Sequence, residues 1–277
     1  MIVTKDFPNK SFATKEELFK ELRANKEELM SVKMATDKQA DAINYNPTFS
    51  YKKDANKEQG ATTEDVNKII VKAVINSCGI LDSHGDVHLK GCRTKTAKET
   101  KNSPHLDSHK RNFQDVISTD TKWSVETVNV KGVDLECLVM TSVIDKKRNE
   151  FMFNQYKNGY VNEHSVGMRY VRNKLYLCVD SESKYDVEEK ENWDKYIDQV
   201  INREEAEAQG YFWAVAESKA IEGSAVVFGS NSFTPTTEVT EIKEPTNVTQ
   251  EENKEEPSSD TQNKEAINII KDYFKLN

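Results

Sequence analysis

Residues 123–144 read WSVETVNVKGVDLECLVMTSVI. The first eight alternate apolar and polar, the pattern of a half-buried strand. Lys131-Gly132 supplies a turn, and LECLVMTSVI (135–144) answers as the partner strand of a hairpin. Working outward, IIVKAVI (69–75) is a β-branched run suited to a strand. SCGILDSHGDVHLKG follows it and is rich in turn residues. KLYLCV (174–179) and the two apolar runs of GYFWAVAESKAIEGSAVVFGSN (210–231) complete a strand-rich core. Short turns join many of these strands, which favours an antiparallel or mixed barrel over a doubly wound sheet. The expected class is α+β, with a β-rich barrel-like core and surrounding helices.

Helical signals lie around that core. Thr14 and Glu17 have capping-box spacing, and Leu18, Phe19, Leu22, Leu29 and Met30 recur at helical intervals, predicting one helix over 15–34. Residues 35–65 read as a polar connector. Asp145 is placed to cap a helix running through Lys157, with Gly159 as its left-handed stop. Residues 180–209 carry eleven acids against four bases. Trp193, Tyr196, Ile197, Val200 and Ile201 there predict an acidic surface helix inserted into the core. Residues 232–264 carry eight acids, three bases and three of the six prolines, and are expected to be a disordered linker. EAINIIKDYFKL (265–276) reads as a short amphipathic helix. The division is thus a helical extension over 1–65, a core over 66–231 with the insertion at 180–209, a linker over 232–264 and a helix over 265–277.

Composition narrows the function classes. The chain has 277 residues, a formal charge of −8, 36% hydrophobic and 31% charged residues. No run approaches the ~18 apolar residues of a spanning helix, so no membrane role is expected. MIVTKDFPNK carries no apolar signal core. There is no basic run interleaved with aromatics, so nucleic-acid binding is not expected. The four cysteines, Cys78, Cys92, Cys137 and Cys178, form no CxxC and read as buried free thiols, with a Cys78–Cys92 disulfide compatible with the sequence.

All five histidines fall between His84 and His164. His84 and His88 in HGDVH, and His105 and His109 in HLDSH, are each four apart, a spacing that would suit a metal on a helix. Gly85 and Pro104 argue against helices there, and no acidic base stands beside the first histidine as in HExxH. No metal or cofactor is expected. Ser165 lies in HSVGM, between a helix stop and a strand. A serine hydroxyl needs a base to act as nucleophile, and a glycine such as Gly167 lets a substrate backbone come close.

Four short motifs, read in order, share one resemblance. They are Asp82, Gly85 and Asp86 in an early turn; Leu106 and His109, with His105 as competitor; Ser165-Val166-Gly167-Met168; and Glu222, Ser224, Ala225 and Val226. In this order they resemble the prohead maturation protease family of tailed phages, whose fold is similar to the herpesvirus assemblin proteases. The resemblance covers residues 69–231. The insertion at 180–209 and the first 65 residues have no counterpart in it.

The resemblance implies a serine endopeptidase that cleaves scaffold and major capsid precursor proteins, and itself, inside an assembling prohead in the host cytoplasm. It implies Ser165 as nucleophile and His109 as base. Glu222 would orient the imidazole, with Asp107, His164 and His105 as alternatives for that third place. Backbone N–H groups from Ser165 to Gly167, with Arg169, would stabilise the oxyanion. Asp82 and Asp86 read as turn formers. The two terminal helices would dock or deliver substrate, or pack on the core, and self-association is compatible with either. The competing functions are a non-enzymatic capsid or scaffold-associated protein with a degenerate protease fold, and a metal-dependent hydrolase built on His84 and His88.

Overall fold

The computed structural model describes residues 1–35, 66–101 and 103–242. The chain opens with a small antiparallel hairpin, β1 (Ile2–Thr4) and β2 (Phe7–Phe12), followed by helices α1 (Lys15–Ala24) and α2 (Lys26–Ala35). Thr14 caps α1 by accepting the Glu17 N–H at 3.3 Å, and the Glu17 carboxylate reaches back to the Ala13 N–H at 2.9 Å. The single helix expected over 15–34 is broken at Asn25. Its side-chain amide donates to the Glu21 carbonyl at 2.8 Å and ends α1, the local competition that makes asparagine a helix terminator. The first 35 residues are therefore a hairpin and two helices rather than a helical extension. They pack down: Leu18, Phe19 and Leu22 are buried in the main core.

The central sheet contains β3 (Lys68–Ser77), β7 (Thr121–Val130), β8 (Val133–Asp145) and β13 (Thr236–Ile242), in the order β13-β3-β8-β7. Lys131 (φ +54°) and Gly132 (φ +84°) turn the β7–β8 hairpin. Positive φ at both positions is the type I′ geometry that matches strand twist. This sheet is covered on both faces. Ile69, Val71, Ala73, Ile75, Leu138 and Met140 enter the main core, while Val74, Leu135, Cys137 and Val139 enter a second cluster. A register shift between Val74 and Asn76 exchanges the faces at the end of β3.

A second four-stranded sheet has the order β6-β5-β12-β9. Its members are β5 (His105–Asp107), β6 (Val116–Ser118), β9 (Glu163–Tyr170) and β12 (Ser218–Val226). A third, in the order β10-β11-β4, contains β4 (Asp86–His88), β10 (Leu175–Val179) and β11 (Tyr211–Val215). Helix α3 (Thr94–Glu99) precedes β5, and α4 (Glu150–Lys157) precedes β9. Asn149, not Asp145, caps α4 by accepting the Met152 N–H at 3.0 Å. The Asp145 carboxylate is held in its own turn by the Lys147 N–H at 2.8 Å.

The class is thus mixed α and β in several sheets. The expected barrel does not close among the described residues: each sheet has two edges. A closed barrel needs one continuous hydrogen-bonded register around the axis, and here the strands divide among separate ladders.

Two other expectations change. The acidic segment 180–209 is the connection between paired strands β10 and β11 and holds α5 (Val187–Tyr196) and α6 (Arg203–Gln209). Trp193, Tyr196, Ile197 and Val200 are buried against Phe212 and Leu89, forming a core of their own. Its acids are met from the N-terminal helices: Arg23 pairs with Asp186, and Lys26 with Glu189 at 2.7 Å. The segment expected to be disordered from 232 begins instead with β13, paired antiparallel to β3. Strand pairing uses the backbone, and TTEVTEI offers β-branched residues with its acids outward on an edge. The rest of the expected linker, the helix expected at 265–276 and, from residue 36 onward, the connector expected over 35–65 lie outside the described residues.

Candidate active site

β9 and β12 run antiparallel, and their register sets the site. Ser165 stands opposite Ser224, and Gly167 opposite Glu222. Because side chains alternate along a strand, Ser165, Gly167, Glu222 and Ser224 share one face of the sheet. Arg169 and Lys219, also opposite one another, continue that face and are exposed. Glu163, opposite Val226, lies at its other end. Burial pushes the Glu163 carboxyl up to about 7, against the pull of Lys131.

His109 reaches this face from β5, which pairs in parallel with β12. Beyond Asp107 the chain enters two consecutive left-handed residues, Ser108 (φ +52°) and His109 (φ +59°). Such conformations cost a non-glycine residue energy and persist where surroundings fix them. Two hydrogen bonds to β12 do so: the Ser108 N–H donates to the Ala225 carbonyl at 2.9 Å, and the His109 N–H to the Ser224 hydroxyl at 3.1 Å.

The folded-back imidazole meets Glu222, with Nδ1 to Oε1 at 2.5 Å and both side chains buried. The other carboxylate oxygen accepts from the Ser224 hydroxyl at 2.6 Å. A carboxylate facing Nδ1 fixes the proton there, so Nε2 carries the lone pair. That Nε2 is buried and has no hydrogen-bond partner. Ser165, a buried residue, is therefore not hydrogen-bonded to His109 Nε2. Its register partner on β12 is Ser224, the residue whose hydroxyl accepts the His109 N–H.

Gly167 has a use that its sequence context does not suggest. A Cβ there would fall 2.0 Å from Glu222 Oε1 and 2.7 Å from its Cδ. The missing side chain makes room for the Glu222 carboxylate. Asp82 does form a turn, accepting the His84 and Asp86 N–H groups at 2.8 and 3.0 Å. Asp86 instead is buried, bound by Lys33 Nζ at 2.7 Å and the Tyr170 hydroxyl at 2.7 Å.

The other histidines lie on the far side of this sheet or away from it. His164 donates from Nδ1 to the Thr234 carbonyl (2.9 Å), so its Nε2 accepts from the Tyr156 hydroxyl (2.9 Å). Tyr156 in turn accepts from His105 Nε2 (2.8 Å), and His105 Nδ1 accepts from Ser142 (3.0 Å). Every donor in this chain has an acceptor, with both imidazoles neutral. Burial holds His164 down at about 4 and His105 well below its ordinary value. Neither histidine contacts His109, and the place beside its Nδ1 is taken by Glu222 rather than by His105, His164 or Asp107.

His88 is buried between Asn76 (3.3 Å) and Tyr170 (3.4 Å). Among the described residues, no group of three or more histidine, cysteine or acidic side chains is placed to hold a metal. Cys78 and Cys92 are buried free thiols with their sulfurs 3.9 Å apart.

Two features escaped the sequence reading. Ser224 bonds to both His109 and Glu222, and the i, i+2 spacing of Glu222 and Ser224 on a strand was the available signal. Tyr156 joins two histidines from different strands, for which no local signal exists. No family model matches the chain, and no curated protein or solved structure matches it.

Proposed function

We propose that this chain is a serine endopeptidase of the prohead maturation type, acting on scaffold and capsid precursor proteins and on itself. One observation carries the reading. A buried imidazole, oriented through Nδ1 by a carboxylate, presents an unpartnered Nε2 on the face that also holds Ser165. Leaving a buried polar atom unpaired costs about 1–3 kcal/mol. An acceptor retained at that cost supports a role for His109 in receiving a proton.

The proposed reaction requires the Ser165 hydroxyl to come within hydrogen-bond reach of Nε2. Oγ attacks the scissile carbonyl carbon while Nε2 takes the hydroxyl proton. The imidazolium, stabilised by Glu222, returns that proton to the leaving amine as the C–N bond breaks. Water then attacks the acyl carbon and gives a proton to Nε2, which passes it to Ser165 Oγ as the acyl carbon–oxygen bond breaks and the carboxylic acid product leaves. Backbone N–H groups near Ser165 would receive the oxyanion, with Arg169 and Lys219 as positive charges farther along the same face.

The assembly context rests on the four-motif resemblance alone. The test is incubation of the purified full chain, alone and with a scaffold precursor, followed by gel and intact mass. Wild type is expected to shorten itself and the precursor. Ser165→Ala should abolish both, with a rate loss on the order of a millionfold, because the groups of such a triad act as a unit. Native-rate processing by Ser165→Ala would end the serine-protease reading. A wild-type chain that cleaves nothing and does not react with a fluorophosphonate would favour the capsid-associated protein with a degenerate site.

A further inference from the structure

We infer that Ser224 is a positioning residue that sets the His109–Glu222 pair; this deepens the proposed protease reading and rests on it for its catalytic meaning. Ser224 is fully buried and stands between three parts of the site. Its hydroxyl hydrogen goes to Glu222 Oε2 at 2.6 Å, leaving Oε1 as the oxygen turned to His109. Its oxygen lone pair accepts the His109 N–H at 3.1 Å. One atom thereby orients the carboxylate and holds the left-handed backbone that carries the imidazole. Across the strand pair its register partner is Ser165.

Ser165 and Ser224 face each other across the strand pair, and the bonding of Ser224 separates its role from that of Ser165. The Ser224 hydroxyl has its proton committed to a carboxylate and its lone pair committed to an amide. The imidazole lone pair on Nε2 is not directed at it. Ser224 therefore does not exchange a proton with His109 during turnover. It acts through the His109–Glu222 pair, and its removal should lower kcat while leaving KM unchanged.

The experiment uses the full chain in three forms: wild type, Ser224→Ala and Ser224→Thr. The first readout is the rate and site of labelling by a fluorophosphonate, mapped by peptide mass. The second is the low-field proton NMR signal of the His109 Nδ1–H, which a short bond to a carboxylate places far from the amide envelope. The third is the thermal midpoint. Ser224→Ala is expected to slow labelling of Ser165 by roughly 10- to 100-fold, the range for losing a hydrogen bond to a charged group. It should also shift or broaden the low-field signal while the midpoint moves by only about 2–6 °C. Ser224→Thr retains the hydroxyl and should restore rate and signal together.

Wild-type labelling with an unchanged low-field signal in Ser224→Ala would overturn the inference. Label found on Ser224 would overturn it as well. Should Ser224→Ala not fold, Ser224→Cys serves instead: a weak thiol donor predicts an intermediate rate, and a wild-type rate refutes the role. If wild type itself takes no label, the protease reading fails, and the NMR signal still decides whether Ser224 sets the pair.

Discussion

Gly167→Ala is the most informative single substitution, because it adds one methyl group and removes no functional atom. The new Cβ would sit 2.0, 2.7 and 2.9 Å from Oε1, Cδ and Cγ of Glu222. Gly167 does not adopt a left-handed φ, so alanine carries no backbone penalty of its own. The whole effect must come from the collision. Glu222 cannot step aside freely, since His109 and Ser224 hold its two oxygens. Either the strands part, at about 1–3 kcal/mol for overpacking, or the carboxylate leaves the imidazole, at about 3–5 kcal/mol for breaking a buried pair. The cheaper route sets the stability loss, so about 1–3 kcal/mol is expected. Activity should fall much further wherever the pair is disturbed. Losing the group that orients the imidazole costs on the order of ten-thousandfold in a triad.

A double-mutant cycle isolates the cause. In a Glu222→Ala background the colliding atoms are gone, and adding Gly167→Ala should change stability by no more than about 0.5 kcal/mol. Urea unfolding of the four proteins gives the stability cycle, and fluorophosphonate labelling gives the activity cycle. Additive losses would refute the reasoning, as would a Gly167→Ala protein with wild-type stability and rate. Either result would mean that Glu222 does not occupy the space above Gly167.

Two further substitutions test the surroundings. Tyr156→Phe strips the hydroxyl that bridges His105 and His164, leaving two buried imidazole nitrogens unpaired. A loss of about 2–5 kcal/mol, seen as a fall in thermal midpoint on the order of 10 °C, is expected. Cleavage measured well below that midpoint should stay within a few-fold of wild type, and a loss as deep as that of Ser165→Ala would place the relay in the reaction. Glu163→Gln tests the raised carboxyl: its folded pKa of about 7 lies above the ordinary 4.5. The folded state therefore holds this proton more tightly, and the resulting stability, full below pH ~4.5, is lost as pH rises through ~7. Glu163→Gln should match wild type near pH ~4 and exceed it near pH ~8, by up to about 2 kcal/mol after allowing for partial solvent exposure. Equal pH profiles for the two proteins would contradict the shift.

The parts of the fold that sequence revealed are those coded locally. The β7–β8 hairpin is written in alternation and in Lys131-Gly132, and the Thr14 cap in a three-residue spacing. The distribution of strands among separate sheets is not local, and residues 69–231 gave a barrel where the ladders stay open. Composition misled at 236–242, since acids on an edge strand do not prevent its backbone from pairing with β3. At the site, His109, Ser165 and Glu222 each lay in a short motif. The left-handed turn that folds His109 onto β12, and the use of Gly167 as space for a carboxylate, depend on atoms more than 50 residues apart. No window of sequence contains both partners.

β9 and β12 carry two polar networks back to back, and the difference between them bears on function. On the inner face, Ser142, His105, Tyr156, His164 and Thr234 form a chain in which every donor and acceptor is used. A fully satisfied buried network rigidifies and has nothing left to offer a ligand. On the outer face, Ser224, Glu222 and His109 form a similar chain that stops at a bare Nε2. The neutral inner chain holds β9 in place through the backbone and side chain of His164, the residue next to Ser165. Alternation along the strand then delivers Ser165 to the opposite face, where the incomplete chain waits. On the proposed reading the open chain moves the proton and the closed one holds the strand, because the closed chain has no bare imidazole nitrogen to offer.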